Sequence, residues 1–204
     1  MLVTYQVGIL LMSQTHNFIE FYENDVYYGR ALNIIDDLKT YLEDKLFIAV
    51  GGGIGSGKTY FINNILKKVV GNLPVYDVDE VTTKMGAGEY KRELAGKATV
   101  QFRKELSIAF TKPDSFIFTG TNANFNGLVA KLQLAKTNGF TTVLIHIDTP
   151  EDTAIQQVSQ RADTGERNPI EDYKVIRTTK DSKEVFEKIK KNRELVDFYF
   201  QYIR

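Results

Sequence analysis

Eight residues constrain this chain more than any others: Gly52-Gly53-Ile54-Gly55-Ser56-Gly57-Lys58-Thr59. They meet the pattern G-x-x-x-x-G-K-[ST] in full, and their setting suits it. The apolar run at residues 46–50 (Leu-Phe-Ile-Ala-Val) reads as a fully buried strand leading in. Residues 60–70 read as a helix leading out, stopped by Gly71. Glycines let such a turn bend sharply and bring backbone N–H groups within reach of phosphate oxygens. The helix N-terminus adds partial positive charge. On this reading the loop, with Tyr60 just after it, cradles the phosphates of a nucleoside triphosphate. Lys58 reaches the β- and γ-phosphates, and the Thr59 hydroxyl ligates Mg²⁺. No Asn-Lys-x-Asp guanine reader follows the loop, so ATP is the expected nucleotide.

The rest of the chain alternates strands with helices. Residues 75–78, 115–119 and 141–147 read as short strands, and residues 196–203, alternating Val196, Phe198, Phe200 and Tyr202, as the last one. Between them lie a long helix over 89–110 and a second over 126–138 that ends at Asn138-Gly139. Thr149-Pro150-Glu151-Asp152 has the form of a helix start, with Thr149 as cap and Pro150 in first position. A polar loop over 163–168 precedes another start at Asn168-Pro169, and helix continues to about Asn192. This pattern predicts an α/β domain of the P-loop NTPase class, a mostly parallel sheet flanked by helices, over residues 46–204. Residues 1–45 form an N-terminal helical extension, since Ala31, Ile34, Ile35, Leu38, Tyr41 and Leu42 fall at helical spacing within 25–44. A ligand belongs beyond the carboxyl ends of the strands.

Composition narrows the function classes. At 204 residues, 43% hydrophobic and 25% charged, the chain has the balance of a globular domain. It contains no cysteine, which excludes disulfides and thiolate metal sites and suits a reducing compartment. The apolar run at 7–12 is too short to span a bilayer, and no basic residue precedes it. A cytoplasmic protein that does not engage membranes is therefore expected. The formal net charge is zero, so the whole-molecule field gives no long-range pull on nucleic acid. Locally the balance shifts. Residues 1–46 carry three basic and seven acidic groups, net −4, while residues 174–193 carry eight basic and three acidic, net +5. The second stretch is a solvated helix face or a local anion site.

Three segments beyond the loop resemble zeta-toxin-like kinases and phage polynucleotide kinases. Asp77-Val78-Asp79-Glu80-Val81 resembles the acidic segment ending their second strand, where the second acid is the general base; by position that is Asp79. Thr119-Gly120-Thr121-Asn122 resembles the end of their third strand, but Thr119 or Gly120 stands where they place an acid, leaving Asp148 as a substitute. Gln157-Val158-Ser159-Gln160-Arg161 and the following Gly165-Glu166-Arg167-Asn168-Pro169-Ile170 resemble their lid. Arg161 matches the second of two lid arginines, Gln157 stands in place of the first, and Arg167 is a further source of charge. The lid would span 154–168.

The resemblance implies a kinase-type fold and an ATP- and Mg²⁺-dependent phosphotransferase. Lys58, Asp79 and Arg161 would be its catalytic groups, and its acceptor a hydroxyl on a nucleotide-sugar, nucleoside or nucleic acid, including modified DNA bases. Two rivals stay open: a nucleotide-binding regulator that transfers nothing, and a toxin held inactive by a protein partner.

Overall fold

The computed structural model describes residues 18–22, 45–165, 168–192 and 194–204, the first of these segments through its backbone alone. The extension helix expected over 25–44 lies outside them, as does Arg167. Six strands, β1 (Phe18–Tyr22), β2 (Leu46–Gly51), β3 (Val75–Asp77), β4 (Phe116–Thr119), β5 (Thr141–Asp148) and β6 (Phe198–Ile203), form one sheet. Their order is β1-β6-β5-β2-β4-β3, and every neighbouring pair is parallel. The loop-bearing strand β2 therefore lies inside the sheet, between β5 and β4, where both its faces are covered. That is why it is apolar throughout and buried at every residue.

Helix α1 leaves the phosphate loop in three stretches, an α-helical turn Lys58–Phe61, a π-helical segment Ile62–Leu66 and a closing turn Lys67–Val70. It is followed by α2 (Val78–Met85), α3 (Ala95–Thr111), α4 (Phe125–Thr137), α5 (Glu151–Asp163) and α6 (Asp172–Lys191). On one face of the sheet α1 sets Phe61, Ile62 and Ile65 against Ile48, Ile145 and Phe200. On the other, α3, α4 and α6 pack on Phe47, Phe118 and Leu144. Strand residues alternate between these two clusters, as the two-residue period of a strand requires. The second cluster is knit by aromatic rings: Phe110 meets Phe140 edge-on at 5.9 Å, and Phe47 lies 5.1 Å from Phe110. Such pairs add about 0.5–1.5 kcal/mol each beyond the area they bury.

The fold matches the expected α/β class and parallel sheet, with local differences. The acidic segment after β3 is not strand but the start of α2, an eight-residue helix whose buried residues are Val81 and Thr82. The long helix expected from residue 89 starts at Ala95, after a 3₁₀ turn Arg92–Leu94. Helix α5 begins at Glu151 with Pro150 in the cap position and no side-chain cap, and α6 begins at Asp172 rather than at Pro169. Strand β1 was not foreseen; its Phe-Ile-Glu-Phe-Tyr composition suits a strand, and it pairs with β6 from Phe18↔Tyr199 to Tyr22↔Ile203. No helix among the described residues is long and apolar enough to cross a membrane.

One core residue ties stability to pH. His146 in β5 is 3% exposed, and its ring stacks on Phe186 with centroids 4.9 Å apart. Burial pushes its pKa from 6.5 down to about 4; Asp148 opposes the shift, while Lys183 and Lys58 add to it. The unfolded chain thus takes up this proton first as pH falls. The stabilisation is complete above about 6.5 and is lost progressively down to about 4, on the order of 3 kcal/mol in all. Urea midpoints measured at about pH 7 and pH 4.5 should show wild type losing more stability than His146→Phe. Equal losses would reject the assignment.

Candidate active site

The phosphate loop sits at the carboxyl end of β2, and its shape is imposed from outside as well as from within. Gly55 and Gly57 take φ of 77° and 83°, a left-handed region that favours glycine. Gly53 is required for a different reason: a Cβ there would meet the Thr179 side chain and lie 2.7 Å from its Cα and 2.9 Å from its N. A Cβ on Gly55 would run into the Ala154 carbonyl and come within 2.9 Å of Val158. So α5 and α6 press directly on the loop. Two threonines fix it by hydrogen bonds. Thr149 donates to the Ser56 carbonyl at 3.0 Å, and the Ile54 N–H donates to the Thr178 hydroxyl at 3.1 Å. Thr149 is thus a loop brace rather than the helix cap expected from its position before Pro150.

The side chains follow from this frame. Lys58 lies over its own loop, its ammonium donating to the Gly52 carbonyl at 2.9 Å, the Gly53 carbonyl at 2.7 Å and the Ser56 hydroxyl at 3.3 Å. Thr59 follows in the first turn of α1 and lines a cavity of about 330 Å³ with Asp77, Glu80, Thr119, Asn63 and Lys67. Tyr60 is half exposed, with the Arg204 guanidinium 5.5 Å from its ring centre.

Two strands away, Asp77 ends β3 and caps α2, its carboxylate accepting from the Asp79 N–H at 2.8 Å. Burial pushes its pKa up to about 6. The Asp79 N–H pulls it down, the Asp79 and Glu80 charges push it up, and Lys58 pulls it down. Asp79 itself lies half-buried in the first turn of α2. The two acids therefore do not share a strand: Asp77 ends β3, and Asp79 belongs to the helix.

The end of β4 carries no acid. Thr119 pairs in register with Asp77, is 4% exposed, and its buried hydroxyl has no hydrogen-bond partner among the described residues. Asn122 takes φ of 53° and tucks its amide against Gly51. Asp148, the acid offered as a substitute, is already engaged: it pairs with Lys183 at 2.7 Å and accepts from Gln201 at 2.8 Å.

On α5, Gln157 accepts from the Arg204 guanidinium at 3.1 Å, and Arg161 lies one turn further on, exposed in the last turn. Of the expected lid, residues 154–163 are helical, with Ala154 and Val158 buried and Ser159, Gln160 and Arg161 exposed. Among the residues that shape the site, sequence reasoning missed Thr178, Thr179 and Arg204. A Thr-Thr pair inside a polar helix and an arginine just past a strand carry no local signal.

A profile of the AAA domain family matches residues 47–188. The chain belongs to that family. No curated protein matches the sequence. Among solved structures, a chain of the AvrRxo1-ORF1:AvrRxo1-ORF2 complex with sulphate ions is similar at a TM-score of 0.59 and 16% identity, over 86% of this chain and 62% of that one. The same complex with ATP gives 0.57 and 18%, over 84% and 58%. A chain of the PezAT chromosomal toxin–antitoxin system of Streptococcus pneumoniae gives 0.58 and 18%, over 88% and 77%. This AAA domain thus spans less than two thirds of the AvrRxo1 chains it matches, and the likeness is one of fold.

The packing of the AAA domain's loop is open to a direct test. Gly53→Ala should destabilise the protein by about 1–3 kcal/mol, because the new methyl meets backbone atoms of α6 that cannot turn aside. Adding Thr179→Ala should leave most of that loss in place when thermal midpoints are compared. A single Gly53→Ala variant with the wild-type midpoint would refute the contact.

Proposed function

We propose that the chain is an ATP-dependent phosphotransferase. Its working domain is residues 46–204, to whose sheet β1 (Phe18–Tyr22) adds a strand beside β6. The observation that carries this reading is the placing of an acidic turn and a phosphate loop at one edge of one sheet. They open on one cavity of about 330 Å³, lined by Thr59 from the loop's helix and by Asp77 and Glu80 from the turn.

In this reading the backbone of Gly52, Gly53, Ile54, Gly55, Ser56 and Gly57, together with Thr59 and Tyr60, holds the triphosphate. Lys58 swings from its own carbonyls to the β- and γ-oxygens. Mg²⁺ fits the donors available, since the Thr59 hydroxyl and the Asp77 carboxylate line one cavity, and Mg²⁺ takes few protein oxygens beside phosphate. Bound there with ATP it would supply charge neutralisation between the β- and γ-phosphates. Asp79 takes the proton of the acceptor hydroxyl as that oxygen bonds to the γ-phosphorus. The bond from the γ-phosphorus to the bridging oxygen breaks, and ADP leaves. Arg161 adds positive charge from α5. The acceptor is a hydroxyl of a nucleotide-sugar, nucleoside or nucleic acid.

A second reading, a regulator that binds ATP without transfer, is favoured by the lack of an acid at Thr119 and Gly120 and by Gln157 on α5. Control by a protein partner is compatible with either reading, as AvrRxo1-ORF1 and PezAT are described as two-component assemblies.

Mg-ATP should raise the thermal midpoint of wild type, by about 2.7 kcal/mol of stabilisation at one hundred times the dissociation constant, and Lys58→Ala should abolish the gain. No shift at millimolar Mg-ATP would sink the proposal. Asp79→Asn should keep ATP affinity and slow transfer to a pooled set of hydroxyl acceptors by roughly 10²–10⁴-fold. If Asp77→Asn alone loses transfer, the base is Asp77; if wild type binds ATP yet transfers to no acceptor, the regulator reading stands.

A further inference from the structure

We infer that Arg204 is part of the nucleotide site: its guanidinium supplies positive charge to the bound triphosphate from the β6 side of the phosphate loop. This rests on the loop binding a triphosphate, as proposed above. Three contacts put the group there. A Cβ on Gly57 would run into the Arg204 Nη1, so the guanidinium lies against the loop residue just before Lys58. The Arg204 guanidinium stands 5.5 Å from the centre of the Tyr60 ring, the residue just after Thr59. Its Nη1 also donates to the Gln157 Oε1 at 3.1 Å, which ties it to α5. The backbone fixes its base, because the Arg204 N–H donates to the Asp148 carbonyl at 3.0 Å and so carries the β5–β6 pairing one step past the strand.

The physical argument is one of charge and pre-organisation. A triphosphate carries about four negative charges, and Lys58 is a single compact cation. A guanidinium held by an amide and an aromatic ring has little freedom left to lose, so its attraction for phosphate is not spent on ordering. Gln157 is neutral and acts as the positioning group. The glycine at 57 is then needed twice over, once for its φ of 83° and once to let the guanidinium approach the loop.

The test is equilibrium binding of ATP, inorganic tripolyphosphate and adenosine to the full chain, at two salt concentrations. Arg204→Gln should weaken ATP and tripolyphosphate each about tenfold, reduce the salt dependence of both, and leave adenosine unchanged. Arg204→Lys, which keeps the charge, should lose much less, and Gln157→Ala about threefold. Midpoints without ligand report folding, and Arg204→Lys with Gln157→Ala decides the matter where Arg204→Gln is poorly folded. Affinities for ATP and tripolyphosphate within twofold of wild type in Arg204→Gln, or in Gln157→Ala where Arg204→Gln is poorly folded, would overturn the role of Arg204 alone. So would a loss confined to ATP and adenosine, which marks a base contact. Failure of wild type to bind either phosphate compound would overturn the triphosphate reading together with it.

Discussion

Everything in the site depends on one packing event, the pressing of α5 and α6 onto the phosphate loop. A glycine-rich loop has more backbone freedom to lose than any other segment, and its N–H groups hold an anion only when they converge. Here Ala154 and Val158 close on Gly55, and Thr179 on Gly53. The hydroxyls of Thr149 and Thr178 hold Ser56 and Ile54 from two directions. The loop is therefore built by the C-terminal half of the chain as much as by its own glycines, and the Ile54–Thr178 bond alone reaches across 124 residues of sequence. Small residues at the contact points are a condition of this packing.

That dependence explains what was legible in the sequence and what was not. The loop was readable because its pattern is local: strand, glycines, Lys58, Thr59 and helix follow one another without a gap. The parallel sheet was readable too, since β2, β4 and β5 are apolar runs of strand length between turn signals. Helix α2 was not, because eight residues with Val81 as their one buried apolar side chain give a helical pattern too short to tell from the end of a strand. Strand β1 was missed because it precedes the motif that organised the reading. Thr149 looked like a helix cap because Thr-Pro-acid-acid is a cap signature; in the fold its hydroxyl finds a stronger demand, the buried Ser56 carbonyl. Arg204 could not have been found from the sequence at all. Its role comes from where β6 ends relative to Gly57.

The distribution of acids at the sheet edge departs from the pattern that the resemblance implied, and the departure has a physical logic. The end of β4 carries Thr119, whose register partner on β3 is Asp77. An acid at Thr119 would sit fully buried beside Asp77, where two carboxylates cannot both ionise without heavy cost. Asp77 is already pushed up to about 6 by burial, with Asp79 and Glu80 adding to the rise. The chain resolves the conflict by keeping its carboxylates on the β3–α2 turn and a neutral hydroxyl on β4.

The other side of β2 then balances that turn. Asp148, which ends β5, is neutralised by Lys183 and bonded to Gln201, so it adds little negative field near the loop. Arg204, one step past β6, is left to face Gly57 with Gln157 as its support. The loop thus lies between an acidic turn on its β3 side and a guanidinium on its β6 side. A phosphate chain lying along such a loop is attracted toward the β6 side and repelled at the β3 side. In the proposed reaction the γ-phosphate has to lie on that repelling side, near Asp79, so a Mg²⁺ held by Thr59 and Asp77 would have to offset the repulsion there.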